Sequence, residues 1–240
     1  MAKIKAVLFD MDGVLIEAKD WHYEALNRAL ALFGYEIART EHLSCYDGLP
    51  TKMKLKKLTA EKGLPEKLHS FINEMKQQYT VEIIHKQCRP RFNHEFALSK
   101  LKAEGYRLVC CSNSVRMTIE MMLDYSKLNR YLEFIISNQD VKNAKPDPEI
   151  YLNAMAKMGL LPEECLICED NENGIKAAMA SGGYLLTIRT VDDINYDNIR
   201  GRIAQIECGR ARPDAADAPA AADGCPACGG IAGQTKGNAE

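Results

Sequence analysis

Five short runs, apolar at nearly every position, recur at 4–9, 107–111, 133–136, 165–168 and 184–188, with helix-period patterns between most of them. Strands that alternate with helices close a parallel sheet, because a parallel neighbour is reached only through a crossover. Runs without a polar face need both sheet faces covered. The chain is therefore expected to form an α/β core, a doubly wound parallel sheet of Rossmann-like type, with ligands gathering beyond the carboxyl ends of the strands.

The alternation breaks over 18–90, which reads as helix throughout, near 21–33, 51–61 and 66–85. That stretch is expected to be an all-helical cap domain inserted after the first strand, leaving 1–17 and 91–208 to build the core. Over 209–240 the chain turns to Ala, Pro, Asp and Gly, as in PDAADAPAAADG, and is expected to be a disordered tail. No internal repeat is evident.

Composition serves mainly to exclude. A chain of 240 residues, 46% hydrophobic, can bury a full core. Its 31 basic and 33 acidic residues leave a net charge of −2, so no global field draws it to nucleic acid or an anionic membrane, and anion recognition must be local. The apolar runs fall well short of the roughly 20 residues that span a bilayer, and MAKIKAVLFD leads directly into a strand. Neither signal peptide nor membrane anchor is expected. Nine cysteines, mostly single or inside apolar runs, read as reduced thiols of a cytoplasmic protein. A monomer or small homo-oligomer is expected.

Chemistry concentrates at strand ends. The first strand runs into FDMDGVL, so Asp10 and Asp12, alternate residues of an extended segment, address one site beside a turn at Gly13. The second ends at Ser112-Asn113-Ser114, where hydroxyl, amide and helix-start N–H groups suit a phosphate oxygen. Lys145 sits in AKPDPEIY, mounted between prolines ahead of a helix. The fourth strand ends in Glu169-Asp170-Asn171, with Gly174 following, and hard oxygen ligands there suit magnesium. Each piece alone has a plainer reading: an acidic turn, a helix cap, a solvated lysine. Four strand ends agreeing on one chemistry outweigh those readings.

FDMDGVL, CSNS, AKPDPEIY and CEDNENGIKAA together resemble the four motifs of the haloacid-dehalogenase superfamily over roughly residues 4–190. The order of elements resembles the branch with a helical cap after the first strand, which includes beta-phosphoglucomutase and many sugar-phosphate phosphatases. The resemblance implies that Asp10 is the nucleophile and Asp12 the general acid and base. It implies that Ser112 and Asn113 bind the phosphoryl group and that Lys145 neutralises charge. Magnesium would be held by Asp10, Asp170 and the Asp12 backbone carbonyl, with Glu169 acting through the metal's water shell. The physics agrees: a carboxylate attacking a phosphate meets repulsion that a divalent ion and a lysine offset. Neighbouring negative charge is expected to raise the pKa of Asp12 into a working range. Phosphonate hydrolases and dehalogenases of the superfamily generally lack an acid at the position of Asp12, which sets those reactions aside.

Within the cap, His22, Asp47 and the basic run GLPTKMKLKKL are candidates to read the leaving portion. EAKDWHYEAL resembles the branch's first cap helix, and His22 matches a histidine near the hinge of the glucomutase; packing alone is an equal reading of it. Thr51 stands where the glucomutase has an arginine, which weakens a mutase reading. Of Lys52, Lys54, Lys56 and Lys57, Lys52 is favoured for substrate contact because it lies nearest the turn, the rest forming a solvated face. Cys225 and Cys228 make half of a zinc ribbon and are expected to bind no metal. Cys110, Cys111, Met121 and Met122 read as packing. The expected function is a magnesium-dependent phosphatase for a small phosphorylated metabolite such as a sugar phosphate. The alternatives are a phosphosugar mutase and a noncatalytic protein that binds a phosphorylated ligand.

Overall fold

The structure, a computed structural model, describes residues 3–209. Five strands, β1 (Ala6–Phe9), β2 (Arg107–Cys111), β3 (Phe134–Ile136), β4 (Cys165–Glu169) and β5 (Tyr184–Thr187), form one parallel sheet in the order β3-β2-β1-β4-β5. The expected strands are all present, most trimmed by a residue or two. The tail proposed for 209–240 falls, beyond Gly209, outside the described residues.

The lack of a polar face in the strands has a direct cause. Val7, Phe9, Leu108 and Cys110 point into one buried cluster, while Ala6, Leu8, Val109 and Cys111 point into a second on the opposite face. The first cluster is closed by α5 (Phe92–Ala103), α6 (Arg116–Tyr125) and α9 (Tyr196–Glu207). The second is closed by α7 (Glu149–Met158) and α8 (Glu172–Ala180). Each large side chain taken fully out of water contributes about 1.5–3 kcal/mol, and Leu8 and Phe9 of β1 are completely buried.

Between β1 and α5 lie α1 (Lys19–Ala31), a short turn α2 (Arg39–Glu41) continuing as a π-turn (His42–Tyr46), α3 (Thr51–Lys62), and α4 (His69–Gln87) preceded by a 3-10 turn (Glu66–Leu68). These helices have a core of their own, including Leu26, Leu30, Tyr46, Leu55, Leu58 and Ile72. Three of them match the sequence expectation; the α2 and π-turn segment was not anticipated. Among the described residues, no helix is long and apolar enough to cross a membrane.

Register sets the site. Phe9 pairs with Cys110 on β2 and with Cys168 on β4. Asp10, Cys111 and Glu169, each one residue further, therefore stand side by side at the carboxyl edge. β1 also lies where the chain order reverses across the sheet, the crevice in which such folds take ligands.

Candidate active site

Lys145 organises this edge. Its ammonium, 4% exposed, donates to Asp10 Oδ1 at 2.6 Å, Glu169 Oε1 at 2.6 Å and the Cys111 carbonyl at 2.8 Å, which uses all its N–H groups. Burial works against its charge, but Asp10 and Glu169 outweigh burial and hold the pKa above the usual lysine range. Glu169 also accepts from the Tyr151 hydroxyl at 2.5 Å. Burial drives the Asp10 carboxyl well above its ordinary pKa despite Lys145, with Glu169, Asp170 and Asp12 adding to the rise. Asn113 braces the lysine's backbone in both directions: its Oδ1 accepts from Lys145 N–H at 3.1 Å and its Nδ2 donates to the Lys145 carbonyl at 3.4 Å. The amide expected to meet phosphate is thus also occupied in positioning Lys145.

Asp10, Glu169 and Asp170 offer carboxylate oxygens within 4.8 Å of one another. Among the described residues Asp170 Oδ1 is buried without a hydrogen-bond partner, while the Lys19 ammonium lies 2.5 Å from Oδ2. Burial pushes the Asp170 pKa up to about 6 even with Lys19 beside it. The backbone is shaped around these groups. A Cβ on Gly13, whose φ is +92°, would stand 2.1 Å from Asp170 Oδ2, and one on Gly174 would stand 2.0 Å from the Glu169 carboxyl. Hard oxygen donors, an unsatisfied carboxylate oxygen and excess local negative charge fit a small divalent cation such as magnesium.

Asp12 faces different company. Ser114 Oγ donates to its Oδ2 at 2.9 Å, and His22 Nε2 lies 3.1 Å from its Oδ1. Behind the imidazole, the Lys76 ammonium is 3.2 Å from His22 Nδ1. With Lys76 charged, Nδ1 accepts and the Nε2 hydrogen is directed at Asp12. Burial raises the Asp12 pKa, but His22, Ser114 and Lys76 together outweigh it and the net shift is downward. This corrects the sequence expectation of a raised value: helices distant in sequence bring a histidine and a lysine to a carboxylate whose chain neighbours are acidic.

A cavity of about 390 Å³ lies between the sheet edge and the helices above, and Asp10, Asp12, Ser112, Asn113, Lys145 and Glu169 form its floor. His22 and Lys52 also line it, but Lys52 is exposed at the rim. The lysines turned inward are Lys54 and Lys76, each 7% exposed. Asp47 joins the two walls by accepting from Asn171 Nδ2 at 3.2 Å. Ser112 is buried, its Oγ accepting from Ser114 N–H at 3.1 Å. Tyr151, Lys19 and Lys76 were not singled out from sequence, although Tyr151 belongs to AKPDPEIY and Lys19 to EAKDWHYEAL; Lys54, expected on a solvated face, is instead buried, because its position on α3 falls on the side that carries Leu58.

Residues 7–187 match the model of the haloacid dehalogenase-like hydrolases. The chain is 28% identical over 182 residues to a phosphorylated carbohydrates phosphatase of Thermotoga maritima, covering 75% of this chain and 82% of the relative. It is 26% identical over 179 residues to a phosphoglycolate phosphatase of Aquifex aeolicus, with 75% and 82% covered. Among solved structures, beta-phosphoglucomutase from Clostridium difficile superposes with a TM-score of 0.74 at 21% identity, covering 85% of this chain and 99% of that one. CbbY from Rhodobacter sphaeroides, solved in complex with phosphate, gives 0.71 at 22% identity, with 77% and 85% covered.

Proposed function

Because the chain belongs to the haloacid dehalogenase-like hydrolase family, we propose that it is a magnesium-dependent phosphomonoester hydrolase acting on a small phosphorylated metabolite such as a sugar phosphate. The observation that carries this reading is Lys145, held at 2.6 Å from both Asp10 and Glu169 with Asp170 alongside. A protein that only bound phosphate would have no use for a buried carboxylate aimed at its ligand. The names of the Thermotoga and Aquifex relatives support the same substrate class.

Asp10, Asp170 and the Asp12 backbone carbonyl would hold magnesium, with Glu169 acting through its water shell; when bound, the ion offsets charge on ester and carboxylates. An Asp10 oxygen forms a bond to phosphorus as the bond from phosphorus to the ester oxygen breaks, and the departing alkoxide takes a proton from Asp12. Water then gives a proton to Asp12 and attacks phosphorus. The aspartyl-phosphate bond breaks, phosphate leaves and the Asp10 carboxylate returns. For the first step Asp12 must carry a proton, so the His22 contact that favours its ionised form has to open as substrate enters. Ser112 and Asn113 meet the phosphoryl oxygens, and Lys145 keeps Asp10 oriented while balancing its charge.

Residues 18–90 serve as the cap and 1–17 with 91–208 as the core. His22, Asp47 and the lysines of α3 and α4 face the leaving portion. A reducing cytoplasmic setting suits the cysteines, all of which are free among the described residues.

The test is phosphate release from a set of phosphorylated metabolites with magnesium, with sugar-phosphate isomers measured in the same samples. Asp10→Asn is nearly isosteric and should lower release by at least about a thousandfold with an unchanged circular-dichroism spectrum. Activity within tenfold of wild type would exclude the mechanism. Isomer formation much faster than phosphate release would make the protein a mutase, a reading that Thr51 argues against.

A further inference from the structure

The chain passes from the sheet to the cap helices through residues 15–18 and returns through 88–91, just ahead of α5. The start of α5 ties the outgoing connection to the core twice. On the surface, Arg91 donates to Glu17 at 3.1 Å and to Asp192 at 2.7 Å. Three residues further on, in the interior, His94 reaches the same two segments. Its Nδ1 lies 3.1 Å from the Leu15 carbonyl, and its Nε2 lies 2.7 Å from the carbonyl of Val191, which opens the 3-10 turn (Val191–Asp193) after β5. The imidazole is 1% exposed.

Two carbonyls need two donors. A neutral imidazole has one N–H and one lone pair, so it satisfies only one of them. Val191 also accepts from the Ile194 N–H at 3.1 Å, but among the described residues His94 is the only donor to the buried Leu15 carbonyl. With the hydrogen on Nε2, the Leu15 oxygen faces a nitrogen lone pair. With it on Nδ1, the Val191 oxygen does so at 2.7 Å. Only the imidazolium donates to both, so these distances suit the doubly protonated ring.

The surroundings make that second proton conditional. Burial, the largest influence, and Arg91 oppose it; the Val191 and Leu15 carbonyls and Asp192 favour it, and the balance holds the His94 pKa below the usual histidine range. The other charged groups near the clasp are engaged elsewhere: Glu17 with Arg91, Glu95 with Arg130, and Asp193 with Arg189 and the Thr190 N–H. The ring is therefore neutral at neutral pH and takes up its second proton on acidification.

Holding Leu15 holds more than one residue. The turn around it is closed on itself, with Gly13 N–H donating to the Ile16 carbonyl at 2.7 Å and Ile16 N–H to the Met11 carbonyl at 2.9 Å. The same turn carries Asp12 and begins the outgoing connection. Resting on the division into cap and core above, we propose that His94 is a proton-operated clasp on the hinge. Doubly protonated, it pins the outgoing connection to the turn after β5; with one proton lost it releases a carbonyl and leaves the Arg91 strap to hold the two segments. A cap has to turn away from its core for ligands to exchange, and the clasp makes that motion freer at neutral pH than in acid.

The test uses the full chain without metal or ligand, so its outcome is independent of the reaction. Side-chain nitrogen NMR counts the protons on the ring, His94 being assigned by through-bond correlation with its own backbone. Between neutral pH and about pH 5 both ring nitrogens should become N–H groups. Hydrogen exchange, expressed as protection relative to an unfolded chain at the same pH, reads the hinge. Protection of the Ile16 and Ala18 amides should rise at least about fivefold over that range, while the β4 amides show no such rise. In His94→Gln, which can donate but cannot gain a charge, the rise should vanish. Arg91→Met, at an exposed position that does not threaten folding, removes a charge that opposes the second proton and should move the midpoint of the rise to higher pH. A ring that keeps a single proton throughout overturns the clasp. So does protection at Ile16 and Ala18 that stays level within about twofold, an equal rise in β4 or in His94→Gln, or a midpoint that Arg91→Met leaves in place or lowers.

Discussion

Replacing His42 by Gln should flatten the loss of stability on acidification. The imidazole is 2% exposed, its Nδ1 has no hydrogen-bond partner among the described residues, and its ring rests 4.8 Å from that of Tyr23. Burial, joined by the charges of Lys54 and Arg39, lowers its pKa to about 4; Asp47, whose oxygen is 3.8 Å from Nε2, and Asp20 oppose this only partly. The unfolded chain takes up a proton near pH 6.5, whereas the folded protein does not until about pH 4. Between those values the unfolded state binds more protons, so the contribution of His42 is full above pH 6.5 and is lost as pH falls towards about 4. At about 1.4 kcal/mol per pH unit, roughly 2 kcal/mol is gone by about pH 4.5, or about 1 M in urea midpoint for a slope near 2 kcal/mol/M. Urea unfolding of metal-free protein at neutral pH and near pH 4.5, followed by circular dichroism, measures the drop for wild type and His42→Gln. His22, His94, Asp10 and Asp170 titrate in both proteins, so the difference between the two drops isolates His42. Equal drops, or a steeper one in the variant, would refute the reasoning.

Lys19→Met should tighten magnesium binding, because the ammonium 2.5 Å from Asp170 Oδ2 competes for the same oxygen. Lys19 is 40% exposed and screened by solvent, so the gain is about 1 kcal/mol, roughly fivefold in Kd by calorimetry; unchanged or weaker binding would count against it. Tyr151→Phe deletes the buried 2.5 Å hydrogen bond to the Glu169 carboxylate. A loss of about 1.5–3 kcal/mol, or on the order of 3–12 °C in melting temperature, is expected, and an unchanged melting point would show that Glu169 does not depend on it.

The sheet was legible because its signal is local. A strand buried on both faces must be apolar at successive positions, and β1, β2 and β4 are so written. Their flanking helices then supply the crossovers. The α2 and π-turn segment left no comparable trace: Arg39, Thr40 and Glu41 show no apolar period, and only the burial of His42 and Tyr46 under tertiary contacts gives the turn its place. The floor of the site was legible for the same reason as the sheet. Asp10 and Ser112 sit one step beyond β1 and β2, and Glu169 is the last residue of β4, so locating the strand locates the side chain.

The roof obeys a different rule. Successive residues of a helix are turned by about 100°, which places Lys52 and Lys54 about 200° apart on α3. Proximity to the turn favoured Lys52, yet rotation about the helix decides which ammonium enters the cavity, and it selects Lys54. A usable signal was present in the pairing pattern. Lys57 has Glu61 four residues ahead and forms the expected ion pair with it at 2.7 Å in solvent. Lys54 has no acid three or four residues away in either direction, nor does Lys76, and both fall on the stripes that carry Leu58 on α3 and Ile72 and Thr80 on α4. A lysine on an apolar stripe, with no acidic neighbour at helical spacing, has to find its counter-charge outside its own helix. In this protein the space it faces is the one above Asp10.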